Sequence, residues 1–251
     1  MKDIARRALA LLDLTNLDDD CDERAIDRLC ARAETPRGWV AALCIYPQWV
    51  PRAIAMRPSA NIRIATVANF PAGTSDSRSA AKATSQAFAQ GADEVDVVLP
   101  WRALLAGDHN TPAEFVRSCR ACVPPGGTLK VILETGELRT PSLIALASRL
   151  AVQEGADFIK TSTGKVAVNA TPQAASIMLA AIRDLGRSAG FKAAGGIRTV
   201  SDAGIYLQLA DEIMGPDWTS PQTFRFGASG LLDDLLAALD AAPQGDQLTG
   251  N

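Results

Sequence analysis

Short runs of β-branched and apolar residues recur along the chain at a nearly even spacing. They are Val40–Tyr46 (VAALCIY), Ile62–Val67 (IRIATV), Glu94–Leu99 (EVDVVL), Leu129–Leu133 (LKVIL), Phe158–Thr161 (FIKT), Phe191–Ala194 (FKAA) and Phe224–Ala228 (FRFGA). Their starts lie 22, 32, 35, 29, 33 and 33 residues apart. Between them the apolar positions follow a helical period, as in SDSRSAAKATSQAFAQ, TPSLIALASRLAVQEG and TPQAASIMLAAIRDLG. Thr140-Pro141 and Thr171-Pro172 each read as an N-cap hydroxyl followed by a proline at the first helical position. Alternation of strand and helix predicts right-handed βαβ units and a parallel sheet buried on both faces. An eighth run, Leu11–Thr15 (LLDLT), follows an N-terminal helix and would close that sheet.

The expected fold class is therefore α/β, a (β/α)8 TIM barrel with an extra N-terminal helix. The chain has 251 residues, against ~250 for such a barrel. The open doubly wound alternative is disfavoured because no strand is followed by a G-x-G-x-x-G turn. Residues 1–251 are expected to form one barrel domain, with a loose C-terminal tail from about 241 to 251.

Composition narrows the function classes. With 47% hydrophobic and 21% charged residues the chain is of ordinary globular make-up. Its net charge is −3 and its basic residues are scattered, so no nucleic acid is expected as a partner. No apolar run approaches the ~20 residues of a membrane span, and the N-terminal apolar run is too short for a secretory signal, which predicts no membrane and a cytoplasmic location. The five cysteines suggest reduced thiols. Cys119 and Cys122 form a C-x-x-C, but inside the helix-like EFVRSCRACV. The one histidine, His109, lies in a turn-like GDHNT, so neither a zinc site nor a Ser-His-Asp triad is readily assembled and no metal is expected.

Four charges within or at the ends of apolar runs stand out: Asp13, Asp96, Lys160 and Lys192. Strand alternation puts Asp96 on one face with Glu94 and Val98, while Val95, Val97 and Leu99 point the other way. A charge inside a barrel costs several kcal/mol unless paired or functional. One explanation is a salt bridge from Asp96 or Asp13 to Lys192. The other is catalysis by two neighbouring lysines, since like charges favour the neutral form of an amine. At the reference pKa of ~10.4 roughly one lysine in 2500 is neutral at pH 7, whereas at ~7 about half are. A neutral amine can attack an aldehyde and form a Schiff base.

Glycines gather in the loops after the last three strands: Thr163-Gly164-Lys165, Gly195-Gly196 and Gly227-Ala-Ser229-Gly230. Simple turns would explain any one of them. Three in succession, with Lys165, Arg198 and Ser229 beside them, suit a phosphate held by backbone N–H groups and a helix N-terminus.

These residues in this order resemble the deoxyribose-phosphate aldolases, class I (Schiff-base) aldolases on a (β/α)8 barrel. The resemblance runs from LLDLTNL through ALCIYPQWV, IRIATVANFPAG, GADEVDVVLPWRAL, LKVILETGEL, GADFIKTSTGK and GFKAAGGIRT to FRFGASGLL, nearly the whole chain. It implies that Lys160 is the Schiff-base nucleophile, that Lys192 is the second lysine favouring the neutral form of Lys160, and that Asp96 works with Lys192 and a water in proton transfer. It further implies that Asp13, Thr163 and Lys165 line the sugar end of the pocket, and that Gly164, Gly195, Gly196, Gly227 and Ser229 hold the phosphate. The implied reaction is reversible cleavage of 2-deoxy-D-ribose 5-phosphate to glyceraldehyde 3-phosphate and acetaldehyde, without metal or organic cofactor, in an enzyme for which a homodimer would suit the family. Ala193 stands where some members have proline and Gly230 where some have a second serine. The alternatives are a Schiff-base aldolase for another phosphorylated sugar and a non-catalytic phosphosugar-binding barrel. Cys44 in CIYP is expected to be a core thiol, near enough to the site for an aldehyde product to reach.

Overall fold

The computed structural model describes residues 1–241. Of the expected tail, residues 242–251 lie outside the described residues. Eight parallel strands form a closed barrel: β1 Leu12–Asn16, β2 Ala42–Ile45, β3 Arg63–Ala68, β4 Glu94–Val98, β5 Thr128–Ile132, β6 Phe158–Lys160, β7 Gly190–Ala194 and β8 Phe224–Ala228. Each pairs with the next in sequence, and β8 closes on β1. All eight expected strands are present within one or two residues of their expected bounds.

The extra N-terminal helix, Lys2–Ala10, precedes β1 and packs on the helices Val200–Met214 and Leu231–Asp240. Arg7 fastens it by a bidentate ion pair to Asp211, at 2.8 and 2.6 Å. The helices start where the sequence signals them. Thr140 accepts from the Leu143 N–H and Thr171 from the Ala174 N–H, each with proline next in the chain, while Thr199 and Asp202 complete a capping box. A two-stranded hairpin, Glu34–Thr35 with Gly38–Trp39, is an addition that the apolar pattern did not reveal, because both of its strands are largely exposed.

The principal core lies between the strands and the surrounding helices. Val95 and Val97 of β4 and Leu129 and Val131 of β5 are fully buried there. The alternate residues of each strand face the barrel axis. On β2 and β3 these are small and apolar, Ala42, Cys44, Ala65 and Val67, which cluster with Leu17. On β4 to β8 and β1 they include seven ionisable groups, and that division of the interior positions the site.

Candidate active site

At the C-terminal ends of the strands lies a cavity of about 550 Å³. Lys160 reaches it from the end of β6, and Thr163, Gly164 and Lys165 follow on the next loop. Gly195, Gly196 and Arg198 after β7, and Gly227 and Ser229 at the end of β8, form the other wall. Just beyond, Gly230 precedes the N-terminus of helix Leu231–Asp240, so a helix N-terminus adjoins the cavity.

Two glycines here have distinct steric reasons. Gly195 has φ +87°, and a β-carbon on it would stand 2.6 Å from that of Asn169. A β-carbon on Gly227 would stand 2.9 Å from Cε of Lys192, so the missing side chain makes room for that lysine.

The loop after β6 is held from β5. Glu134, buried and in the left-handed region at φ +57°, accepts from the Thr163 N–H at 3.0 Å and from the Thr163 hydroxyl at 2.7 Å. That hydroxyl accepts in turn from the Lys165 N–H at 3.0 Å. Thr163, expected to contact the sugar, lines the cavity with its hydroxyl already used to shape the loop. Burial pushes the Glu134 carboxyl up against the opposing pull of its bonds to Thr163. Lys165 reaches the rim, 3.4 Å from the exposed Asp19.

Below Lys160 the interior charges pair in a closed ring of alternating sign. Arg225 donates to Asp13 at 2.6 Å; Asp13 accepts from Lys192 at 2.5 Å; Lys192 donates to Asp96 at 2.9 Å; Asp96 accepts from Lys130 at 2.9 Å; Lys130 pairs with Glu94; and Glu94 accepts from Arg225 at 2.8 Å. Register sets up much of this, placing Asp96 beside Lys130 and Lys192 beside both Lys160 and Arg225 on neighbouring strands. Lys160 stands outside the ring and donates to one of its members, Asp96, at 3.0 Å.

The ring members are buried, and Asp13, Asp96, Lys130, Lys192 and Arg225 are held charged by their neighbours in it. Burial by itself would raise the Asp13 and Asp96 carboxyls, yet the surrounding cations hold both well below the usual carboxylate range. Burial would likewise lower the Lys192 and Lys130 amines, yet Asp13 and Asp96 hold Lys192 above the ordinary lysine value, and Asp96 and Glu94 do so for Lys130. With three carboxylates and three cations the ring is neutral, and Lys160 is a fourth cation when protonated.

Lys160, Thr163, Lys165 and the five expected phosphate-site residues, Gly164, Gly195, Gly196, Gly227 and Ser229, thus surround one cavity, with Asp96 and Lys192 directly beneath. Asp13 departs from expectation. Instead of lining the sugar end it is fully buried in the ring, its two oxygens held by Lys192 and Arg225. Sequence reasoning passed over Lys130, Arg225 and Glu134, and used Glu94 only to define a face. The signal for the first two was present in LKVIL and FRFGA, each a lone cation between apolar neighbours.

Cys44 lies in the barrel interior, its thiol pushed up by burial. Cys119 is also in the core, pushed up to about 12 by burial, and is not bonded to Cys122. His109 is exposed at the start of helix Asn110–Arg120. Among the described residues no cluster of three or more His, Cys, Asp or Glu is placed to hold a metal, and no helix is long and apolar enough to cross a membrane.

The family model of the DeoC/LacD aldolases matches residues 7–235. The chain belongs to that family. It is 55% identical over 240 residues to the deoxyribose-phosphate aldolase of Agrobacterium fabrum strain C58, covering 95% of this chain and 92% of that one. Among solved structures, one from Toxoplasma gondii ME49, provisionally assigned as a deoxyribose-phosphate aldolase, superposes with a TM-score of 0.87 at 25% identity over 95% of this chain and 97% of that chain. The deoxyribose phosphate aldolase of Aeropyrum pernix, described as a tetramer, gives 0.74 at 22% identity over 94% and 91%. At that last identity the likeness speaks to fold alone. The buried lysines therefore belong to an aldolase.

Proposed function

We propose that this aldolase reversibly cleaves 2-deoxy-D-ribose 5-phosphate to D-glyceraldehyde 3-phosphate and acetaldehyde through a Schiff base on Lys160. The observation that carries the assignment of Lys160 is charge balance. Lys160 alone among the interior lysines both faces the cavity and lacks a carboxylate of its own, so its neutral form leaves the buried network uncharged.

The neutral amine attacks C1 of the open-chain sugar, and loss of water gives a protonated imine. The imine draws the electron pair of the C2–C3 bond as it breaks, while a base removes the proton of the C3 hydroxyl. Glyceraldehyde 3-phosphate leaves with its new carbonyl at that carbon. The two-carbon enamine remaining on Lys160 is protonated, and hydrolysis releases acetaldehyde. Lys192 and Asp96, joined at 2.9 Å with Asp96 also bonded to Lys160, are the pair suited to move protons through a water. The phosphate fits the backbone of Gly195, Gly196 and Ser229 at the helix N-terminus, with Gly164 and Arg198 at the same cavity. Lys165 at the rim suits the sugar oxygens.

A second copy of the chain in a homodimer and a cytoplasmic location complete the proposal. Sedimentation at a monomer's mass would remove the dimer. Borohydride reduction in the presence of acetaldehyde, followed by peptide mass spectrometry, is expected to place a two-carbon adduct on Lys160; no adduct there would overturn the mechanism. Turnover of deoxyribose 5-phosphate well above that of ribose 5-phosphate or ketose phosphates is expected, and the reverse order would point to an aldolase for another sugar.

A further inference from the structure

The ring extends away from the cavity that Lys160 faces. Arg225 and Glu94 do not line the cavity that Lys160 faces. They lie near the opposite ends of their strands, where both border a separate hollow of about 250 Å³ with Gly127 and Pro221. Arg225 is nevertheless tied into the site, since its guanidinium bonds Asp13 at 2.6 Å and Glu94 at 2.8 Å and its Nε donates to the Pro221 carbonyl at 2.5 Å. It is also the one ring cation that cannot release its proton. Lys130 and Lys192 could in principle become neutral, but Arg225 permanently supplies one of the three positive charges.

The groups that face Lys160 from the strands are Asp96 of β4, Lys130 of β5, Lys192 of β7 and the Cys44 thiol of β2. From the loops they are Glu134 after β5, Lys165 after β6, Arg198 after β7 and Asp18 after β1. Glu94 is one ion pair further out, through Lys130, and Arg225 is two further out, through Asp13 and Lys192.

We infer that Arg225 and Glu94 are positioning residues for the Schiff-base step: by completing a neutral ring they leave Lys160 only Asp96, a carboxylate already shared with Lys130 and Lys192, and so set the pH at which its amine is free to react. The inference rests on the aldolase reading of Lys160. If Arg225 loses its charge, three carboxylates face two ring cations and Lys160 becomes the missing counter-ion, held protonated. If Glu94 loses its charge, a surplus of positive charge works against the proton on Lys160. The two substitutions must therefore act in opposite directions, which a role in packing alone would not produce.

The test is the pH dependence of acetaldehyde adduct formation at Lys160, trapped with borohydride and quantified by mass spectrometry. For Arg225→Gln the midpoint is expected to rise by about one to two pH units, and for Glu94→Gln to fall by a similar amount. The double variant removes one charge of each sign and is expected to return close to the unsubstituted protein, as is Arg225→Lys. Midpoints that stay fixed, or that move the same way in both single variants, would overturn the inference. Should Arg225→Gln fail to fold, Glu94→Gln and the double variant, both close to isosteric at Glu94, still give the sign: a fall in the first that the second does not reverse is an adverse result. Absence of any adduct in the unsubstituted protein would instead defeat the aldolase reading of Lys160, so the two failures are distinguishable.

Discussion

The two sides of the barrel interior are built by the same strand alternation and are equally buried, yet they hold opposite chemistry. On β2 and β3 the inward positions are Ala42, Cys44, Ala65 and Val67, an apolar wall whose burial is favourable residue by residue. On β4 to β8 and β1 the inward positions carry Glu94, Asp96, Lys130, Lys160, Lys192, Arg225 and Asp13, none more than 5% exposed. No charge on that side is tolerable alone, because each would cost several kcal/mol without its partners. The apolar wall is a sum of local terms; the charged wall stands only as a closed set. Lys160, the member that does not belong to the set, is the one that faces the cavity.

The sharpest way to test that division is to remove the two neighbouring lysines separately. Lys160→Met is expected to lower kcat/KM for deoxyribose 5-phosphate by at least about a thousandfold and abolish the trapped adduct. Its denaturation midpoint should stay the same or rise, since the ring is neutral without it. Lys192→Met should also lose most turnover but in addition lose about 3–5 kcal/mol of stability in urea, because Asp13 and Asp96 are left with too few cations. Equal stability in the two variants would mean that the ring is not the unit described.

Acid and base should then separate the two walls. The folded-state carboxyls of Asp13 and Asp96 lie below their unfolded values, so the unfolded chain binds more protons. Their contribution is present above about pH 4 and lost as the pH falls through the depressed folded values. Lys130 and Lys192 lie above their unfolded values, so theirs is complete below about pH 10 and lost as the pH rises through the elevated ones. Urea midpoints across the acid range should fall less steeply in Asp96→Asn than in the unsubstituted protein; identical slopes would contradict the assignment.

A smaller effect is expected from Gly227→Ala. Its methyl group would stand 2.9 Å from Cε of Lys192 and 3.0 Å from Cβ of Ala194, displacing the lysine and lowering kcat by about tenfold with the fold retained. The smallest change belongs to the apolar wall: Cys44→Ala should cost about 1 kcal/mol in stability and leave turnover within about twofold. A large kinetic loss there would show that the apolar wall shares in the chemistry.

Much of this was legible in the chain. The even spacing of apolar runs gave seven strands, LLDLT supplied the eighth, and the Thr-Pro pairs gave helix starts that the hydrogen bonds reproduce. Lys160, Lys192 and Asp96 could be picked out because a charge inside an apolar run needs a reason. Asp13 was also picked out, but as a pocket wall, since a run of residues shows that a position is buried without showing which cations surround it. Thr163 could be placed at the cavity but not seen to be tied to Glu134, whose left-handed backbone leaves no mark in ETGEL. Lys130 and Arg225 carried the same signal as the catalytic candidates and went unused, because no single strand shows that their charges are needed to balance those of the others.

Period-two and helical-period patterns, caps and loop glycines are local, each expressed within a few residues, and so the order of elements, the barrel and the burial of Asp13, Asp96, Lys160 and Lys192 were legible in the sequence alone. The ring was decided only by closure. Its members come from β1, β4, β5, β7 and β8, with Arg225 lying 212 positions from Asp13 and 131 from Glu94. Because a buried charge takes its energy from every other charge within a few ångströms in a medium of low dielectric, its partners, its protonation state and the exclusion of Lys160 from the neutral set are properties of the folded arrangement.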